Sequence, residues 1–245
     1  MADIKTNDGN GTTGLSGTSL INDPNLVAYW KLEDLNSTVG SYALTNTAPL
    51  SFVTGKFGKA IYGNSAHYLE RTPNDISVSA SGPVTFSFWA KMNSLTLSEG
   101  GLGVQFMGLA ISDTSNLFRC GRYQSGGVQY IFFNRSNIGS STLNVFYTET
   151  MDLVNFYHIV FTYDGTNISG YVNGTATSSA AASGSGSGGI SYFRICSDQF
   201  GAANAVVDDF AIFTKVLTQS EVNEIYNKGI SPLVTSISNI TSITF

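Results

Sequence analysis

Paired carboxylates are the first chemistry to look for in the 245-residue sequence, and it offers few. Two carboxyl groups held a few ångströms apart can split a glycosidic bond, and on a strand they must sit two positions apart to share a face. No alternating Glu-x-Asp-x-Glu-like run occurs. The nearest pair, Glu149 and Asp152, has the wrong parity and falls on opposite faces of an extended chain. Glu221 and Glu224 fall on a predicted helix, where solvated surface charge is the expected role. His158, between Tyr157 and Ile159 in a β-type run, reads as a structural histidine, and His67 lies beside Tyr68 near a predicted turn. A nucleophile elbow, a phosphate loop and an HExxH motif are all missing. The chain is therefore not expected to be an enzyme. Asp208 stands out in another way. In Val207-Asp208-Asp209-Phe210-Ala211-Ile212 it shares parity with Phe210 and Ile212, so strict alternation puts it on the apolar side. A carboxylate there needs a metal ion or several hydrogen bonds.

The elements that carry these residues are short strands. Val84–Lys91 alternates, with Phe86 and Phe88 on one face and Thr85, Ser87 and Trp89 on the other. Val128–Phe133 and Phe156–Tyr163 are further strands, the second ended by the turn dipeptide Asp164-Gly165. Ile168–Val172 follows and ends at Asn173-Gly174, so these neighbours are antiparallel and a parallel α/β sheet is excluded here. Thr175 to Gly189 is a Ser/Ala/Gly tract that reads as a loop without packing content. Strand signals resume at Ile190–Ile195. One helix is predicted near the end: Thr218 caps it, Glu221 completes a capping box, Val222, Ile225 and Tyr226 share a face, and Gly229 ends it. The fold class is all-β, an antiparallel β-sandwich with one short C-terminal helix.

Composition narrows the function. Charged residues make up 12%, about half the usual share. The net charge is −5 with no basic run, which excludes nucleic acid as a partner. No run of eighteen apolar residues occurs, so no membrane insertion is expected, and the polar N-terminus is not a signal peptide. Cys120 and Cys196 either close a disulfide or serve as two small buried hydrophobes. Residues 1–24 read as a flexible Gly/Ser/Thr/Asn-rich arm, 25–230 as the folded domain, and 231–245 as a β-prone, uncharged arm with Ile237, Ile240, Ile243 and Phe245. That last arm reads either as a final strand or as a segment added to a neighbouring subunit's sheet.

Five runs in order resemble the laminin-G-like jelly-roll domains of the concanavalin-A-like lectin/glucanase superfamily. They are Leu26–Asp34, Gly55–Gly63 leading to Tyr68–Glu70, Phe86–Lys91, the Tyr157–Gly165 and Gly170–Gly174 hairpin, and Val207–Phe213 with the Leu217–Tyr226 helix. The resemblance covers about residues 26–229 and implies a concanavalin-A-like jelly roll. It also implies a candidate structural calcium ion, with Asp208 matching the family's metal-ligating aspartate and Glu33 and the Gly55–Gly58 turn as the places for partner oxygens. The alternative for Asp208 is to accept backbone N–H groups without a metal. A sugar site would draw on aromatic and polar residues such as Trp89, Tyr123, Tyr130 and Arg122, which the sequence leaves unranked. Together these readings lead us to expect a non-catalytic structural or interaction protein on an exposed particle such as a phage virion. Its expected partners are protein subunits of the same or a larger assembly, with glycans as further partners. The alternative is a secreted carbohydrate-binding module, and a glycoside hydrolase comes third.

Overall fold

The computed structural model describes residues 20–46, 51–64, 67–72, 75–94, 104–112, 115–135, 145–148, 151–182, 191–197 and 204–230. It is an antiparallel two-sheet sandwich with one C-terminal helix. Fifteen strands are formed among the described residues: β1 (Leu26–Trp30), β2 (Thr45–Asn46), β3 (Ser51–Thr54), β4 (Lys59–Gly63), β5 (Leu69–Arg71), β6 (Val84–Met92), β7 (Val104–Ser112), β8 (Ser115–Ser125), β9 (Val128–Arg135), β10 (Val145–Thr148), β11 (Tyr157–Tyr163), β12 (Asn167–Val172), β13 (Thr175–Ala181), β14 (Tyr192–Ile195) and β15 (Ala205–Phe213). The helix α1 is Gln219–Lys228.

The first sheet runs β13-β12-β11-β6-β15-β4-β3, with β1 also paired to β15; the second runs β10-β9-β8-β7-β14-β5-β2. Alternation on β6 sends Phe86, Phe88, Ala90 and Met92 into the space between the sheets. Aromatic rings cross that space. Phe193 of the second sheet stacks on Trp30 at 5.4 Å and meets Phe210 at 5.2 Å, while Phe88 lies flat against Phe210 at 5.2 Å. Phe133 of the second sheet meets Phe161 at 5.4 Å, and Phe161 stacks on Phe86 at 4.8 Å. The sheets close tightly where Gly170 faces Phe133: a Cβ there would lie 2.4 Å from the ring.

The β11–β12 pairing follows from the Asp164-Gly165 turn, in which Asp164 accepts the N–H groups of Thr166 and Asn167 at 2.7 Å. Asn173 and Gly174 both have positive φ, 50° and 77°, as a two-residue hairpin turn requires. That turn sends the chain back as β13, so the first part of the tract expected to be an unpacked loop is a strand paired along β12. Loop-like composition did not prevent this, because small side chains fit an edge strand once the turn fixes the register. Both cysteines are buried free thiols, so the second of the two sequence alternatives holds.

Helix α1 has the expected capping box, with Thr218 Oγ1 accepting from Glu221 N and the Glu221 carboxylate accepting from Thr218 N. The Gly229 N–H closes its other end on the Ile225 carbonyl. Val222 and Ile225 pack with Tyr29, Val160, Ala211, Phe213 and Leu217 on the outer face of the first sheet. A 3-10 turn at Leu20–Asn22 places buried Leu20 in the same cluster as Ile230. Lys215 joins the two ends, pairing with Asp23 and with Glu221.

Candidate functional site

Strand β15 has one irregularity, at Asp208–Asp209, where Asp209 takes φ 51° and the register on β6 shifts. This bulge inserts a residue and changes the phase of the strand. Val207 faces the inter-sheet core, Phe210 and Ile212 face it again, and Asp208 pairs with Trp89 on the opposite, outer face. The parity expected for Asp208, shared with Phe210 and Ile212, is therefore corrected by the bulge. Asp208 is fully buried nevertheless, because the turn between β3 and β4 folds over it. Its Oδ2 accepts the Phe57 N–H and its Oδ1 accepts the Asp209 N–H, both at 2.9 Å. A Cβ on Gly55 would sit 2.5 Å from Oδ2, so the close approach needs glycine.

Glu33 reaches the same turn, its Oε1 accepting the Lys59 N–H at 3.1 Å. Gly58, at φ 70°, leaves room for that oxygen, which a Cβ would meet at 1.9 Å. The structure thus brings Asp208 and Glu33 to one hairpin turn, and each is engaged by turn amides. Asp209 accepts the Tyr29 hydroxyl at 2.5 Å. Burial pushes the Asp208 carboxyl up to about 7, against the turn amides, which lower it. Burial likewise pushes Asp209 up to about 6 despite the Tyr29 hydrogen bond. Among the described residues no group of three or more His, Cys, Asp or Glu side chains is arranged around a common metal position.

The other sequence candidates scatter. His158 is fully buried, bonded through Nε2 to Ser87 Oγ at 2.9 Å, and burial lowers its pKa to about 3. It packs against Trp89 at 5.0 Å, and Trp89 in turn stacks on Tyr226 of α1 at 5.7 Å with Lys56 over its ring. Trp89 and His158 therefore belong to the seam under the helix. His67 pairs with Asn64 across a tight turn. Asp152 organises a turn by accepting the N–H groups of Val154 and Asn155; Glu149 lies outside the described residues. So do Ile237, Ile240, Ile243 and Phe245.

The outer face of the second sheet carries a different set. Register aligns Thr45, Glu70, Arg194, Gly108, Arg119 and Asn134 in one row across β2, β5, β14, β7, β8 and β9. Their neighbours Leu69, Ile195, Met107, Cys120 and Phe133 point into the core, so the row lies on the outer face. Arg194 Nε donates to Glu70 at 2.5 Å, and its guanidinium lies 4.9 Å from the Tyr68 ring centre and 4.0 Å from that of Tyr192. Arg119 Nε donates to Asn134 Oδ1 at 3.1 Å, with its guanidinium 5.5 Å from the Phe132 ring centre. Tyr123 and Tyr130 pair directly across the β8–β9 hairpin on the same face and are half-buried. Arg122 points to the core side of its strand, bonded to the Ser94 carbonyl and to Gln129. Along this row Gly108, Arg119 and Asn134, with Phe132 and Tyr192 beside them, are buried, and the part-exposed groups are Tyr68, Glu70 and Arg194 toward one end and Tyr123 and Tyr130 at the β8–β9 hairpin.

Sequence reasoning named Tyr123, Tyr130 and Arg122 but missed Glu70, Arg194, Arg119 and Tyr192. The available signal was the placement of arginine. All five arginines of the chain, Arg71, Arg119, Arg122, Arg135 and Arg194, lie in strands of the second sheet.

A family model, Laminin_G_3, described as concanavalin A-like lectin/glucanases superfamily, matches residues 63–223. No curated protein sequence matches the chain. Among solved structures, domain 4 of AbnA, a GH43 extracellular arabinanase from Geobacillus stearothermophilus, in complex with arabinotriose, is similar with a TM-score of 0.64 and 18% identity. The match covers 82% of this chain and 98% of that one. The binding domain of botulinum neurotoxin DC in complex with rat synaptotagmin II gives 0.65 and 16% over 84% of this chain and 52% of that one. The binding domain of Paraclostridial Mosquitocidal Protein 1 gives 0.60 and 17%, covering 85% and 52%. The chain thus spans about half of the two toxin domains and matches nearly the whole of the arabinanase domain in fold.

Proposed function

The chain belongs to the concanavalin A-like lectin/glucanase superfamily, and we propose that it is a non-catalytic binding domain that holds a carbohydrate on the outer face of the second sheet. The observation that carries this reading is the part-exposed group of Tyr68, Glu70 and Arg194, in which a guanidinium and a carboxylate are fixed beside an aromatic ring. Sugars are recognised by planar donors and acceptors that hold hydroxyls, with ring faces supplying apolar contact. The arabinotriose in the complex with the arabinanase domain, a protein of the same fold, supports a saccharide as ligand. The test is a glycan array followed by titration calorimetry. Binding that is lost in Arg194→Gln, with the fold intact by circular dichroism, is expected; binding unchanged by that substitution overturns the site.

The assembly reading has its own support. The described chain begins at Leu20 and ends at Ile230, and both are buried in one apolar cluster, so residues 1–19 and 231–245 attach at neighbouring points. A display role on a particle such as a virion follows if 231–245 adds to a second copy. Light scattering of the full chain and of a chain lacking 231–245 tests it, and a monomer in both cases removes it. A calcium ion held by Asp208 and Glu33 belongs to the same proposal. Its support is the convergence of two carboxylates on one glycine-flanked turn, where carbonyl oxygens are also available to a cation that takes six to eight oxygens. Calcium there would fasten the turn onto β15, a structural role remote from the sugar face.

A further inference from the structure

Resting on the assembly reading, we infer that residues 231–245 of one copy add as a strand to the outer edge of β3 in a second copy, the two copies exchanging segments in a dimer. The first ground is the edge. Among the described residues β3 pairs with β4 alone and ends the first sheet on that side. The Gly55 N–H bonds the Gly58 carbonyl, so the bonds to β4 fall on alternate residues back from Gly55, namely Val53 and Ser51. The N–H and C=O groups of Phe52 and Thr54 therefore point outward, away from β4. Ser51, Phe52 and Thr54 are exposed, and the strand holds no charged residue or proline that would blunt pairing. Phe52 lies opposite Ile61, a residue of the inter-sheet core, so it faces the core side at an open flank and keeps 40% exposure. The other side of the same sheet is closed differently, with β13 lying against β10 of the second sheet.

The second ground is the segment itself. Residues 231–245 carry no charged side chain. An extended chain puts Ile237, Ile243 and Phe245 on one face and Ser236, Ser238, Ser242 and Thr244 on the other, where Ile240 also falls. Added to β3, the first set supplies an apolar neighbour for Phe52, and the backbone supplies partners for the outward amides. Two chains of net charge −5 then meet along strands that set no like charges opposite one another.

The third ground is where the segment starts and how far it reaches. Gly229 lies against the β3–β4 turn, where a Cβ on it would meet the Phe57 ring at 3.4 Å, and Ile230 is buried with Leu20 and Leu26. Fifteen extended residues cover about 50 Å, against roughly 40 Å for the width of a domain of this size. β3 is only about 13 Å long, and its turn end is the end next to Gly229. Folding back onto its own β3 would engage four of the fifteen residues and leave most of the segment without a partner. Crossing to a neighbour uses the rest as the linker. Because the segment leaves beside its own β3, a two-fold arrangement that sets one segment on the partner's edge sets the other likewise.

The experiment compares by light scattering the full chain, a chain ending at Ile230, and full-length Thr54→Pro and Phe52→Lys. Proline at 54 removes an outward donor and leaves the bonds to β4 in place, and lysine at 52 adds an edge charge without touching the backbone. A dimer is expected for the full chain and, at the same concentration, a monomer for the other three. A synthetic peptide of residues 231–245 should bind the chain ending at Ile230 and lose that binding in its Thr54→Pro form. A dimer that is lost on truncation but survives both β3 substitutions overturns β3 as the acceptor and leaves the assembly reading standing. A full chain that is monomeric removes the assembly reading itself. If the truncated chain then still takes up the peptide at β3, the segment pairs with its own chain and the second copy is overturned as its acceptor. Should Thr54→Pro fail to fold, the lysine variant decides the matter.

Discussion

The two outer faces of the sandwich use polar residues in opposite ways. On the first sheet they lie beneath a cover: Thr85, Ser87, His158 and Asp208 are all buried under helix α1, the β3–β4 turn and the segment leading into the helix. Thr85 and Asp208 fasten that cover, while Ser87 and His158 bond each other beneath it. Thr85 Oγ1, for instance, donates to the Lys215 carbonyl and accepts from Leu217 N. On the second sheet the polar row bonds within its own face, Glu70 to Arg194 and Arg119 to Asn134. One face has spent its chemistry on closing the domain. The other buries Arg119 and Asn134 as well but leaves Glu70 and Arg194 part-exposed.

Truncating an anchor on each face gives the largest expected difference. Trp89→Ala removes a ring that touches Phe57, His158 and Tyr226 at once, and should cost about 3–5 kcal/mol in denaturant unfolding. Tyr123→Ala, on the half-buried hairpin of the second sheet, should cost roughly 1 kcal/mol or less. Comparable losses at the two sites would break the distinction between the seam under the helix and the part-exposed hairpin of the second sheet.

Acidity provides the next effect. Asp208 and Asp209 have folded-state values near 7 and 6, above the ordinary 3.8. The folded chain therefore binds protons more tightly than the unfolded one in that interval. The stability this contributes is fully present below pH about 4 and lost as pH rises through 6 and 7. Asp23 and Glu221 are shifted the other way, burial being outweighed in each by hydrogen bonds such as that from Lys215, so they act only at lower pH. In chelator, the melting temperature should fall as pH is raised from about 5 to about 8, with roughly 2–4 kcal/mol at stake. Asp208→Asn should flatten that slope. Calcium should restore stability at the upper pH in the unsubstituted chain and not in the variant. Stability that ignores calcium removes the ion from Asp208 and Glu33 but leaves the pH slope in place.

What the sequence made legible was whatever is decided locally. The Asp164-Gly165 and Asn173-Gly174 turns, the inward Phe86 and Phe88 and the whole capping of α1 depend on residues within a few positions, and all were found where the pattern put them. Asp208 was misassigned to the core side because a bulge shifts the phase of β15, and an Asp-Asp pair announces no positive φ at its second member. Thr175–Ala181 was read as a loop because its Ser and Ala residues carry no alternation; its strand is imposed by the preceding turn. The arginine row was invisible for a third reason. Glu70, Arg194, Gly108, Arg119 and Asn134 come from five strands whose order in the sheet is not their order in the chain, so only the topology brings them into line.

The smallest expected change in stability sharpens the comparison most. Glu70 and Arg194 form a part-exposed ion pair, and such pairs contribute about 0–1 kcal/mol. Glu70→Gln should thus barely move the unfolding transition, in contrast to any substitution under the helix. It removes the single acid from the strands described for the second sheet, and with it the carboxylate placed to accept a sugar hydroxyl beside Arg194. An oligosaccharide held on this face should then bind several-fold more weakly in titration calorimetry, for want of the hydroxyl acceptor. Unchanged affinity would take Glu70 out of the binding site.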